Sequence, residues 1–222
     1  MPTSVAHQLQ TRGFAHLRAN SNELASIDAF ASLGDLDNVE GLDSIQTLTP
    51  KRVANAPPNT YSGNYGIQEF PLHTDLAHWA IPPRYLALRC VRGSASVATR
   101  IIDSNIIIDE FGIGSLRMTL VRPRRPMGNG RQLLRLIELE NRDQPNRFRW
   151  DSLYLKPATA NAEIMMKNIH ALLLDEKPKE IFLSELGDSL IIDNWRMLHG
   201  RSAVTGDSTH RCIERAYLGA VG

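Results

Sequence analysis

Two short stretches far apart in the chain carry the residue types from which a metal centre is built. In Phe70-Pro71-Leu72-His73-Thr74-Asp75 an imidazole and a carboxylate stand two residues apart. If the segment is extended, both side chains leave the same face. Leu198-His199-Gly200-Arg201 offers a second imidazole. Two histidines and one carboxylate leave three adjacent positions open on a bound ion, which suits non-haem Fe(II) oxygen chemistry. His-x-Asp alone is a common surface pair, so its weight depends on its surroundings.

The chain has 222 residues, 42% of them hydrophobic, enough for one sizeable core and one domain over 1–222. Within it, a segment at about 105–150 is a candidate lid or insertion. A formal net charge of +1 points to neither nucleic acid nor an anionic membrane as partner. The two cysteines, Cys90 and Cys212, are too few for a disulfide framework, and a reduced, cytoplasmic setting is the simpler expectation. Met1-Pro2-Thr3-Ser4 does not begin a signal peptide, and no apolar run approaches the roughly 18 residues of a membrane span.

The elements that would position these residues follow from periodicity and turn chemistry. A short strand is predicted around Gly13–Leu17, then a helix capped by Asn22 with Leu24, Ile27, Phe30 and Leu33 on one side, stopped by Gly34. Residues 50–70 are rich in Pro, Asn, Gly and Tyr and read as a loop leading into the His-x-Asp segment. Such a loop is well placed to line a pocket, which makes Asn64 and Tyr65 candidate substrate contacts. His78, three residues after Asp75, has the opposite strand parity and is a poor fourth ligand.

Strands are predicted at Tyr85–Val91 and Val97–Asp103, a short helix at Ile106–Phe111, and a strand at Gln132–Leu139. Arg122, Arg124 and Arg125 lie in a loop ending in the turn signal Gly128-Asn129-Gly130, and a second turn is expected at 141–146. The clearest helix is capped by Thr159 or Asn161, carries Ile164, Met165, Ile169, Leu172 and Leu173, and ends by Pro178. A turn at 185–188, a strand at Ser189–Asp193 and a final strand at Arg211–Leu218 complete the chain. Many short strands, one strong helix and frequent turns favour a mainly β jelly roll with helices outside. No Gly-rich phosphate loop joins a strand to a helix.

Taken jointly, the motifs resemble the taurine dioxygenase and clavaminate synthase-like group of Fe(II)- and 2-oxoglutarate-dependent oxygenases. The matching pieces are Phe70–Asp75, Pro82-Pro83, Gly187–Asn194, Leu198-His199-Gly200-Arg201 and Arg211-x-x-x-Arg215, in order from about Gly13 to the C-terminus. The resemblance implies a double-stranded β-helix with His73, Asp75 and His199 holding Fe(II). It implies that Arg211 and Thr99 hold the distal carboxylate of 2-oxoglutarate, and that Arg215 faces the primary substrate. Residues 211, 213 and 215 of an extended strand share a face. A guanidinium fits a carboxylate bidentately, and a threonine hydroxyl adds one donor.

The implied activity uses O2, releases succinate and CO2, and oxidises an unactivated C–H bond, by hydroxylation in the usual case. Its substrate would be a small molecule such as an amino acid or natural-product intermediate. A carboxylate at Asp75 disfavours halogenation, because related halogenases carry a small residue there. Asp151, in Arg149-Trp150-Asp151, is a candidate partner for an amino or guanidino group. Arg201 is expected in a structural ion pair.

Three other readings compete. A non-catalytic metal-binding jelly roll would not require Thr99 and both arginines. A zinc hydrolase would use the same ligand types, but no His-Glu-x-x-His stretch occurs. An oxygenase acting on a protein side chain would need an open groove. No sequence feature selects an oligomeric state.

Overall fold

The computed structural model describes residues 4–18, 26–125, 132–139 and 146–221. The expected cap Asn22 with Leu24, the Gly128-Asn129-Gly130 turn and residues 141–145 of the second turn lie outside them. Helix α1 (Val5–Arg12) opens on Ser4, whose hydroxyl accepts from the His7 N–H, and closes on Gly13 at φ +76°. Glycine takes that left-handed conformation without steric cost. No apolar stripe in the sequence marks this helix, because only Leu9 is buried along it.

Strand β1 (Phe14–Leu17) and helix α2 (Ser26–Ala31) follow. Phe30 is buried while Ile27 is exposed, and Gly34 does more than stop the helix: it begins strand β2 (Gly34–Leu36). After strand β3 (Ile45–Leu48), the expected loop contains a 3-10 turn at Val53–Asn55 and a short helix α3 (Tyr61–Tyr65). Thr60 caps α3 by accepting from the Gly63 N–H at 3.0 Å.

Strands β4 (Phe70–His73), β5 (Tyr85–Arg92) and β6 (Ala98–Asp103) come next, then helices α4 (Asn105–Phe111) and α5 (Ile113–Met118) and strand β7 (Leu120–Pro123). The single strand expected over 132–139 is two short ones, β8 (Leu134–Arg135) and β9 (Ile137–Glu138), split where the Leu136 N–H turns to Thr119 O. Strands β10 (Arg147–Phe148) and β11 (Leu155–Pro157) lead to helix α6 (Ala160–Asp175).

Of the two candidate caps, Thr159 is the one used, accepting from the Ala162 N–H at 3.1 Å. Ile169 is buried with Met165, Leu172 and Leu173 packed nearby, but Ile164 lies one residue off that stripe and is 60% exposed. The helix ends at Asp175, ahead of Pro178. Strands β12 (Lys179–Phe182), β13 (Ser189–Asp193), β14 (Met197–Arg201) and β15 (Cys212–Val221) finish the chain.

The strands form a jelly roll, with helices on its outside. One sheet runs β1-β13-β5-β15-β2, with β3 also paired to β15; the facing sheet runs β12-β6-β14-β4. Leu86, Leu88 and Cys90 of β5, Leu190 and Ile192 of β13, and Ile213 and Tyr217 of β15 meet Ile101, Ile181 and Met197 of the second sheet between the layers. The alternate residues Ala87, Ile191, Ala216 and Leu218 pack outward with Leu9 of α1 and Phe30 of α2. Both faces of the larger sheet are therefore covered.

Outside the smaller sheet, Ile102 and Leu198 pack with Ile107, Leu116, Ile137, Phe148, Trp150 and Ile169. The described part of the 105–150 segment thus packs on the jelly roll's back. Gly200 lies where β4 comes closest to β14: a Cβ there would sit 2.6 Å from Phe70 O. Only glycine permits that approach, and through it the pairing that brings His73 opposite His199.

Candidate metal centre

His73 ends β4, and its Cα partner on β14 is His199. Both are buried, with ring centroids 4.4 Å apart. Asp75 lies beyond the end of β4, so a shared strand face does not deliver its carboxylate. Asn194 does: its Oδ1 accepts from the Asp75 N–H at 2.7 Å, and its amide donates to Asp75 O at 3.0 Å and Pro83 O at 2.9 Å. Leu76 then adopts φ +54°, a left-handed conformation that costs a leucine about 1–2 kcal/mol. The turn brings Asp75 Oδ1 to 3.4 Å from Nε2 of both His73 and His199.

Among the described residues these three side chains form the one group with ligand atoms placed to share a metal ion, all within 4.8 Å of one another. Two ligands bound at about 2.1 Å and about 90° apart are roughly 3 Å from each other, so the spacing suits a facial site. The His73 Nδ1 lies 2.8 Å from Pro71 O, which directs Nε2 inward; the outward nitrogen of a metal-bound imidazole is typically held in this way.

The electrostatics match a cation site. Burial opposes ionisation of Asp75, but Arg215 and the two imidazoles outweigh it and hold the carboxyl well below its usual range. Burial and then His73 push His199 down, while Asp75 and Asp151 overcome burial to raise His73. The site already contains one ionised carboxylate and two inward-facing imidazole nitrogens.

The residues expected around the centre fall into distinct environments. Thr99 is buried on β6, and shares with Ile101 the face turned to the interior. Arg211 precedes β15 and is buried; its Nε has no hydrogen-bond partner among the described residues. Burial pushes its pKa down to about 10, so it remains charged at neutral pH. Arg201 carries no ion pair among the described residues. It stacks 3.7 Å over Phe70 and donates to Gly66 O at 2.9 Å and Gln68 O at 2.7 Å. Burial and repulsion from Arg211 bring Arg201 down to about 10. Among the described residues no carboxylate pairs with either guanidinium.

Arg215 differs from expectation: it is turned to Asp75, donating from Nη1 to Oδ2 at 2.9 Å, and its other donors go to Gln46 Oε1. Asn64 is exposed and donates to Thr60 O within its own turn, away from the centre. Tyr65 is half-buried and stacks 5.9 Å from Tyr61. Asp151 is 1% exposed, and its Oδ1 accepts from the Leu153 and Tyr154 N–H groups at 2.7 and 2.8 Å. No cationic side chain pairs with it among the described residues, and burial raises its pKa. His78 stands outside the triad, 5.2 Å ring to ring from Tyr154.

Three neighbours of the centre carry no local sequence signal. Tyr61 stacks on His73 at 4.1 Å and points its hydroxyl toward Asp151 without a well-formed hydrogen bond. Tyr217 donates to Asp75 Oδ2 at 2.9 Å across 142 residues of chain. Arg149, fully buried, donates to Ala77 O at 2.8 Å, Trp79 O at 2.6 Å, Ala80 O at 3.1 Å and Glu138 at 2.9 Å, so it holds the turn after Asp75. Arg149→Met strands the buried Ala77 O and withdraws a donor from the part-buried Trp79 O and from Glu138, which keeps Arg147, and should cost about 1–3 kcal/mol of unfolding free energy. Urea denaturation measures this, and a loss below about 1 kcal/mol would deny Arg149 that role.

Against known proteins, no family model matches this chain, and no curated protein does. Solved structures do match. Asparagine oxygenase (AsnO) superposes with a TM-score of 0.69 at 17% identity, covering 96% of this chain and 76% of that one. PvcB from Pseudomonas aeruginosa, an Fe, alpha-ketoglutarate-dependent oxygenase from an isonitrile synthetic pathway, gives 0.68 at 15% identity, covering 97% and 78%. The non-heme iron oxygenase OrfP, in complex with Fe, succinate and (3S)-hydroxy-L-Arg, gives 0.63 at 17%, covering 94% and 75%. At these identities the likeness is one of fold: the chain has the jelly roll of these oxygenases.

Proposed function

We propose that this chain is an Fe(II)- and 2-oxoglutarate-dependent dioxygenase that hydroxylates an unactivated C–H bond of a free amino acid or a closely related small molecule. The observation that carries the reading is the convergence of His73 Nε2, His199 Nε2 and Asp75 Oδ1 in a jelly roll that also buries Arg211 without an ion pair among the described residues. His73, Asp75 and His199 would hold the metal. Arg211, with Thr99, would bind the distal carboxylate of 2-oxoglutarate. With O2, the bound metal and cosubstrate supply the oxidant for C–H cleavage, releasing succinate and CO2. AsnO with Fe(II), 3-hydroxyasparagine and succinate, and OrfP with hydroxy-arginine, supply the precedent for an amino-acid substrate on this fold.

The chain's own residues then bind, orient and exclude water. Tyr61 covers one face of His73, with Tyr154 edge-on to it at 5.7 Å and Tyr65 behind, so this side of the centre is walled by aromatic rings. Asp151 is the polar anchor: a buried carboxylate that pairs with no cationic side chain among the described residues favours a ligand ammonium or guanidinium. Arg215 and Asn64 are occupied elsewhere and are left out of the substrate shell. The reading includes a single oxygenase domain over the chain and a cytoplasmic setting. Both cysteines are free, and no helix among the described residues is long and apolar enough to cross a membrane.

The test is succinate release from 2-oxoglutarate across a panel of free amino acids. A cationic or amide side chain should stimulate it most, and no stimulation by any amino acid would sink the substrate class. Asp151→Asn should raise KM for the best cationic substrate at least about 30-fold, the equivalent of 2 kcal/mol for a lost charge-assisted contact, with 2-oxoglutarate affinity unchanged. An unaltered KM would remove Asp151 from the substrate shell.

A further inference from the structure

We propose that Tyr217, acting with Arg215 and Asn194, is a positioning residue that presents Asp75 to the metal through one oxygen only. The inference rests on the metal reading above. The two carboxylate oxygens of Asp75 are in different surroundings. Oδ1 lies 3.4 Å from both imidazole Nε2 atoms. Oδ2 accepts from the Tyr217 hydroxyl at 2.9 Å and from Arg215 Nη1 at 2.9 Å.

Tyr217 cannot swing away. Its ring is 2% exposed and packs between the sheets, in the layer with Leu86, Ile213 and Met197. Gln46 accepts from Arg215 and fixes the guanidinium from its other side. Asn194, fully buried, bonds both the N–H and the C=O of Asp75 and so removes main-chain freedom as well. Without that clamp, the left-handed Leu76 would be free to relax and carry the carboxylate with it.

The consequence concerns coordination number. A carboxylate binding through both oxygens takes two positions on the ion. In a six-coordinate site with two imidazoles and a chelating 2-oxo acid, no position would then remain for O2. Donors committed to Oδ2 keep Asp75 monodentate and keep that position open. Groups that orient a ligand in this way typically contribute 10–100-fold to metal affinity.

Tyr217→Phe removes only the hydroxyl and leaves charge and packing in place. Three measurements compare it with the wild-type chain: thermal midpoint without metal, anaerobic Fe(II) Kd, and the absorption spectrum of the Co(II)-loaded protein. The expected result is a near-unchanged midpoint, an Fe(II) Kd weakened about 10–100-fold, and altered Co(II) bands. A Kd within twofold of wild type with unchanged Co(II) bands overturns the proposal. If Tyr217→Phe fails to fold, Arg215→Lys takes its place. It keeps the charge but not the guanidinium fork, and should weaken Fe(II) binding in the same direction; an unchanged Kd overturns the proposal equally. Wild-type protein that binds no Fe(II) would overturn the metal reading itself, whereas wild-type binding matched by the variant tested overturns only the clamp.

Discussion

His199→Ala is expected to end Fe(II)-dependent succinate release while the chain still folds. The imidazole is one of three ligand atoms, and its Nε2 lies 3.4 Å from the shared Asp75 oxygen. Loss of a group that merely orients a ligand costs about 10–100-fold in metal affinity, so loss of the ligand itself should cost more than about 100-fold. The fold should tolerate the change. β14 is held by main-chain pairing with β4 and β6, and the buried His199 Nδ1 has no partner among the described residues to be stranded. Circular dichroism, bound-metal content and succinate release measured on one preparation separate the effects. Full activity in this variant would remove His199 from the centre.

Arg211→Ala should act on the cosubstrate and leave the metal alone. Removing a buried charge-assisted contact costs about 2–5 kcal/mol, so the Kd for 2-oxoglutarate should rise at least about 30-fold. Fe(II) affinity should stay within about twofold, since Arg211 bonds none of the three ligands. The effect on stability has the opposite sign to the effect on binding. Arg211 is a buried charge with no ion pair among the described residues and is repelled by Arg201, so without cosubstrate its removal should leave the thermal midpoint unchanged or raised. An unchanged cosubstrate Kd would show that Arg211 has another task.

Much of the jelly roll is legible in the sequence because its central strands are buried on both faces. Tyr85–Val91, with its alternation of apolar and mixed residues, and Val97–Asp103 and Ser189–Asp193, rich in β-branched residues, read as strands, and they are β5, β6 and β13 to within a residue. What escapes has weak or short patterning. Helix α1 buries only Leu9, β2 is three residues long, and β8 and β9 are two residues each. For these, tertiary pairing decides the conformation rather than local periodicity.

The site divides along the same line. His73, Asp75 and His199 are recognisable from residue type and motif; Arg211 is singled out by the Arg211-x-x-x-Arg215 spacing, which puts it on the last strand, whereas it lies one residue ahead of β15. The reason given for Asp75, a shared strand face with His73, does not hold, because the strand ends first and Asn194 supplies the geometry instead. Arg215 matches its motif in spacing, but its direction is set by Asp75 and Gln46, which lie 140 and 169 residues away. The same distance hides Tyr217, whose hydroxyl looks like core chemistry until the fold brings Asp75 to it.

On this reading one site holds Fe(II) and chelating 2-oxoglutarate together. Anaerobic titration of the metal-free protein with Fe(II) and then 2-oxoglutarate tests it most directly, by the weak visible charge-transfer band of the chelate. The band should appear in the wild-type chain and, in Arg211→Ala, be lost at the same cosubstrate concentration while Fe(II) still binds. Fe(II) binding with no band at saturating 2-oxoglutarate would contradict it and leave a metal-binding jelly roll without the proposed oxygenase chemistry.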